Sequence, residues 1–79
     1  MLFVLDTPSI QGVWMKDMEF SIDIIWIDEN KKIITIARDV APVTYPQVFY
    51  PTELAKYILE VPAGFAATHG VVEESSIVL

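Results

Sequence analysis

The chain contains no cysteine, which excludes disulfides, thiolate nucleophiles and cysteine-based zinc sites together. It is also short of cations. Five Lys and Arg residues stand against eleven Asp and Glu, for a formal net charge of -6 at pH 7. Nucleic-acid affinity rests on cation density along a phosphate backbone, so DNA and RNA are not expected partners. The three glycines, Gly12, Gly64 and Gly70, are too scattered to build a P-loop or a dinucleotide fingerprint, and no G-x-S-x-G nucleophile elbow occurs. Asp28-Glu29-Asn30 begins like a calcium loop but lacks the central glycine and the terminal glutamate. No cofactor and no metal site is expected. No apolar run approaches the ~20 residues that span a bilayer, and Met1–Leu5 lacks the basic flank and length of a signal peptide. The chain therefore reads as cytoplasmic, without a membrane partner.

What is present is apolar material. Of 79 residues, 53% are hydrophobic, in a chain long enough for one domain, residues 1–79. A domain of this size buries only roughly 60% of the surface its unfolded chain exposes. Some apolar surface is left over for a partner, and with no covalent staple a homo-oligomer, most simply a dimer, is expected.

Strand patterns dominate the local reading. Met1–Leu5 is a short β-type run followed by the turn cluster Asp6-Thr7-Pro8-Ser9. Val13–Lys16 reads as a second strand. Phe20–Asp28 and Lys32–Ala37 read as a hairpin around the polar turn Asp28-Glu29-Asn30-Lys31. Three prolines within residues 40–52 exclude a continuous helix or a central strand there, leaving a long loop that carries Tyr45, Phe49 and Tyr50. Residues 52–56 suggest a helical turn, Tyr57–Val61 a strand, Pro62–His69 a short helix ended by Gly70, and Ser75–Leu79 a last strand. The fold class is mainly β: a small β-sandwich or jelly-roll-like domain with one short α-helix.

Successive strand residues face opposite ways. In the strand starting at Phe20, one face carries Phe20, Ile22, Ile24 and Trp26, and the other Ser21, Asp23, Ile25 and Ile27. Both faces are apolar, yet Asp23 stands on one. Glu60 shares a face with Ile58, and Lys16 with Trp14. An isolated buried charge is costly, so Lys16, Asp23 and Glu60 are expected to be paired, hydrogen-bonded or functional.

The segments Trp14-Met15-Lys16-Asp17, Ile22-Asp23-Ile24, Ile27-Asp28, Tyr57-Ile58-Leu59-Glu60-Val61-Pro62-Ala63-Gly64 and His69-Gly70, in this order and spacing, resemble the domain-of-unknown-function 192 family over nearly the whole chain. The resemblance implies a β-sandwich or jelly-roll-like domain with a small helix and no established activity. This chain carries Asp17 where the family run ends in asparagine, Met18 and Ser21 where a threonine and a proline are expected, and Ser75-Ser76 in place of a Gly-Asp turn. The family's strand and helical segment before the run equivalent to Met1-Leu2-Phe3-Val4 is not seen. An uncovered sheet edge, and pairing of two copies through it, is the consequence expected.

Three functional readings follow. The first is a non-catalytic ligand-binding or assembly module with candidate ligand-binding residues Trp14, Lys16, Asp17, Asp23, Tyr45, Tyr50 and Glu60, taking a small polar ligand; within it, a purely structural Lys16–Asp23–Glu60 network is the plainest role for the charges. The second is an enzyme in which Lys16 and a carboxylate act on a hydroxylated or anionic substrate, with no catalytic residue assignable. The third is an adaptor that pairs through an open sheet edge. His69, the only histidine, is expected to cap the helix end.

Overall fold

The computed structural model describes residues 1–78. In chain order the elements are β1 (Leu2–Ser9), β2 (Val13–Trp14), β3 (Ile22–Ile27), β4 (Ile33–Val40), a 3-10 turn (Pro42–Thr44), β5 (Val48–Phe49), β6 (Ala55–Pro62) and α1 (Phe65–Thr68). The main sheet has the antiparallel order β1-β6-β3-β4, and β2 pairs with β5 as a separate ribbon. The class is mainly β with one short helix, as the strand patterns require.

β3 lies between β6 and β4, and all six of its residues are buried. This is why its sequence is apolar on both faces. Ile22, Ile24 and Trp26 pack with Met15, Val40, Ala55 and Ile58, and Val13 and Phe49 of the ribbon cover them. Ile25 and Ile27 pack with Ile33 on the other face, against Tyr57, Leu59, Val61, Val71 and Ile77. Each such side chain contributes about 1.5–3 kcal/mol of burial.

The β3–β4 hairpin forms at the expected turn. Asp28 Oδ1 accepts the backbone N–H groups of Asn30 and Lys32, each at 2.9 Å, and Lys31 takes a positive φ of 65°. The two sheet edges differ. Along β4, residues 74–77 bond the backbone of Lys31 and Ile33, and an exposed Lys32–Glu74 ion pair of 2.7 Å lies beside them. No described strand pairs with the outer side of β1.

Several local expectations are corrected. Asp6-Thr7-Pro8-Ser9 is not a turn but part of β1. Val4 pairs with Tyr57 and Ser9 with Ala55, so β1 spends four residues where β6 spends one, and the Lys56 ammonium donates to the Asp6 carbonyl at 3.0 Å. An edge bulge tolerates the missing N–H of Pro8. Residues 55 and 56 are strand rather than helical turn, because Ala55 is drawn into the core and pairs with Ser9. The 40–52 loop contains the 3-10 turn and β5. The helix is shorter than expected, since Pro62 still pairs with Ile22 and Gly64, at φ 92°, makes the turn into it. Its end is as expected. Gly70 at φ 63° donates to Ala67, Val71 donates to Ala66, and His69 Nδ1 lies 3.0 Å from the Phe65 carbonyl with its ring stacked on Phe65. The last segment forms a single bridge at Ser76 rather than a strand, and Leu79 lies outside the described residues.

Candidate functional site

The β2–β5 ribbon crosses one face of the main sheet and leaves a cleft beside it. Two local features set the ribbon's height. The Trp26 indole Nε1 donates to the Gln11 carbonyl at 2.9 Å, which ties the β1–β2 connection to the middle of β3. At Gly12 an added Cβ would lie 2.6 Å from Val48 Cγ1 and 2.7 Å from Tyr50 Cε1, so only glycine lets β5 close against this connection. The resulting cleft, of about 280 Å³, is lined by Phe3 and Leu5 of β1, Ile58 and Glu60 of β6, and residues 11–14.

Glu60 supplies the carboxylate in that lining. It pairs with Ile24 and so shares the face of Ile58 and Trp26. It also borders a second groove, of about 300 Å³, formed with Met1, Met18, Phe20, Ile22 and the end of β6. Among the described residues no side chain donates to its carboxylate, and no Lys, Arg or His pairs with it. Burial pushes the Glu60 carboxyl above the ordinary glutamate value, and the Met1 amino group opposes that rise without cancelling it.

The rim is aromatic and cationic. Trp14 and Tyr45 have ring centroids 5.1 Å apart at 48°, and the Lys16 ammonium stands 5.8 Å from the Trp14 ring centroid. Lys16 reaches this position because β2 ends at Trp14. Met15, 1% exposed, turns into the core, and a turn closed by Met18 N–H donating to the Met15 carbonyl at 3.1 Å carries Lys16 and Asp17 outward. Asp17 has φ 62°, a conformation that favours asparagine, aspartate or glycine.

The expected Lys16–Asp23–Glu60 ion network does not form. Lys16 is exposed, and Asp23 projects to the opposite face of the sheet from Glu60. Asp23, 1% exposed, accepts the N–H of Asp39 at 2.9 Å and that of Ala66, in the first turn of α1, at 2.9 Å. A bulge in β4 aims the first donor. Ile22 pairs with Val40 and Ile24 with Ala37, which leaves Asp39 at φ 50° with its N–H toward Asp23. Burial pushes the Asp23 carboxyl up, but the N–H groups of Asp39, Ala66 and Gly64 and the Arg38 guanidinium outweigh it, so Asp23 is held below the ordinary aspartate value. Of the residues singled out in the sequence, Trp14 and Glu60 line the cleft. Lys16 and Tyr45 reach it through Trp14, and Tyr50 packs beside Gly12. Asp23 is separate, and Asp17 serves the turn. Phe3, Leu5, Gln11 and Ile58 were not legible as site residues. Only the pairing of β1 with β6, which joins residues as far apart as Phe3 and Ile58, brings them to one place.

Among the described residues no group of three or more His, Cys, Asp or Glu side chains could hold a metal ion, and no helix is long and apolar enough to cross a membrane.

Two solved structures share the fold. A protein of unknown function from Novosphingobium aromaticivorans DSM 12444 is 22% identical with a TM-score of 0.92, over 100% of this chain and 56% of that one. A "putative transcription regulator" from Sinorhizobium meliloti 1021 is 26% identical with a TM-score of 0.89, over 96% of this chain and 58% of that one. The chain thus spans a little over half the length of either. No curated protein matches it. The model of the DUF192 family, described as "Uncharacterized ACR", matches residues 1–79 from end to end, and together with the shared β architecture this shows that the chain belongs to the DUF192 family.

Proposed function

We propose that this domain is a non-catalytic module that binds a small ligand in the cleft between the β2–β5 ribbon and the main sheet. One observation carries the reading: the Glu60 carboxylate opens into an apolar, aromatic-walled cleft with no donor from the described residues. Binding sites of this kind combine apolar walls with a few placed polar groups, and the cleft's volume lies near the lower end of the ~300–1,000 Å³ typical of them. An enzyme built on Lys16 is the weaker reading. A catalytic amine needs a neighbouring acid or a desolvated pocket, whereas the Lys16 ammonium is exposed over Trp14.

The outer edge of β1, which no described strand pairs, supports a second element of the proposal, a homodimer. Leu2 and Val4 are exposed there, while the β4 edge is bonded by residues 74–77. Light scattering across concentrations tests it, and a monomer throughout would remove it. The proposed setting is the cytoplasm, tested by fractionation of the native protein. The regulator name of the Sinorhizobium meliloti neighbour fits ligand sensing better than DNA contact, given the net charge of -6. A fragment screen followed by backbone amide shifts tests the site. Hits are expected to move residues 11–14 and 58–60, and a screen that leaves these amides still would overturn the reading.

A further inference from the structure

We infer that the cleft takes a small organic cation, an ammonium group on an apolar body, with Glu60 as its counter-ion and Trp14 as its aromatic wall. The inference rests on the cleft being a ligand site and names the chemistry that site accepts.

Three ligand charges can be compared. An anion entering the cleft would meet the Glu60 carboxylate in the lining, while the nearest cations, the Lys16 ammonium at the Trp14 rim and the Met1 amino group beside the adjoining groove, lie outside it, and at longer range it would meet a chain of net charge -6. A neutral apolar ligand would cover Phe3, Leu5 and Ile58, but it would strip water from a carboxylate that no described side chain bonds, at the cost of an unpaired buried charge. A cation removes that cost by bringing the missing partner with it. Its apolar body then gains the burial that Phe3, Leu5, Val13 and Ile58 offer.

The chain itself supplies a precedent for the aromatic part. The Lys16 ammonium already stands 5.8 Å from the Trp14 centroid, so this indole presents its negative face to a cation, and the Tyr45 ring braces it at 5.1 Å. Gln11 adds a polar group that suits an N–H donor. Its amide nitrogen is turned to the Gly12 carbonyl at 3.4 Å, which leaves the amide oxygen free to accept. One acid, one indole and one amide oxygen around an apolar floor select for positive charge. The Lys16 ammonium is no substitute, because Lys16 is exposed, lies outside the cleft lining and makes no ion pair with Glu60.

The test is a ladder of probes of near-equal size and three charges: benzylammonium, benzyl alcohol and benzoate, each titrated against the full chain at neutral pH and followed by backbone amide shifts. Benzylammonium is expected to bind at least about tenfold more tightly than benzyl alcohol, in keeping with a partly desolvated, hydrogen-bonded ion pair plus a cation–π contact, and benzoate is expected to bind least. Glu60→Gln, which preserves shape, should bring the ammonium down to the affinity of the alcohol and leave the alcohol unchanged. Trp14→Leu should weaken the ammonium more than the alcohol. Equal affinities for ammonium and alcohol, or benzoate as the tightest ligand, would overturn the cation assignment while keeping the cleft as a site. Silence from all three probes would also overturn it, and only a blank in the wider fragment screen would remove the site as well. Should Glu60→Gln not fold, the wild-type ladder decides alone.

Discussion

Asp23 and Glu60 are almost neighbours across one sheet. Asp23 pairs with Val61 and Glu60 with Ile24, one residue further along, and that single step sends the two carboxylates to opposite faces. On the Asp23 face, α1 and the bulge in β4 deliver backbone N–H groups to both oxygens, and the acid is held below its ordinary value. On the Glu60 face the ribbon stops short, the described residues supply no donor, and the acid is pushed above its ordinary value. The same functional group in the same sheet becomes a structural clamp or an unsatisfied site according to whether backbone donors reach it. Burial alone does not set the sign.

The largest effect is expected from breaking the closed side. Asp23→Ala leaves two N–H groups without an acceptor in an apolar layer, a loss on the order of 3 kcal/mol against a total on the order of 5 kcal/mol for so small a domain. Urea denaturation measures it, and a loss below about 1 kcal/mol would mean that α1 finds other partners. Asp23→Asn keeps one acceptor oxygen and should lose about half as much.

The open side should respond with the opposite sign. Glu60→Leu removes a partly desolvated carboxylate that no described side chain bonds from an apolar floor and is expected to raise stability by about 1 kcal/mol. A fall in the thermal midpoint would show that Glu60 contributes to the fold. A smaller and reversible version of the same contrast lies in the pH profile. Glu60 is raised above its ordinary 4.5 in the folded state, so acidification from neutrality toward 4.5 protonates the fold first and adds stability. Asp23 is lowered from its ordinary 3.8, so its contribution is complete above that value and is lost as pH falls through the lower folded value. The thermal midpoint should therefore rise, then fall, on acidification. Glu60→Gln should erase the rise and Asp23→Asn should flatten the fall, and a profile unchanged by either would contradict the assignment.

The smallest effect is expected at the rim. Lys16→Met removes an exposed cation–π contact, at about 0.5–1 kcal/mol. Loss of about 3–5 kcal/mol, as for a broken buried ion pair, would restore the charge network that the strand pattern alone suggests.

That network shows where sequence reading ends. Alternation along β3 correctly assigned Ile24 and Trp26 to one face and Asp23 to the other, because strand geometry is local. The same rule failed for Lys16. Two residues after Val13 the chain leaves the strand for a turn, and Asp17 at positive φ is a weak signal beside the apolar run before it. Val48–Phe49 was equally illegible among prolines, since a two-residue strand exists only because β2 is there to pair with it. The candidate site was half visible. Trp14 and Glu60 stood out as an aromatic and an acid in apolar surroundings, whereas Phe3, Gln11 and Ile58 look like any other strand or loop residues until β1 meets β6.

By itself, the sequence determined the β class, the β3–β4 hairpin, the Gly70 helix end and the presence of acids in apolar strands, all of which follow from backbone preferences and side-chain spacing over a few residues. Only the tertiary structure decided which acid is clamped and which is left open. That choice depends on donors contributed by Asp39 and Ala66, 16 and 43 residues away from Asp23, and chain pairings at such separations are set by the packing of the whole domain.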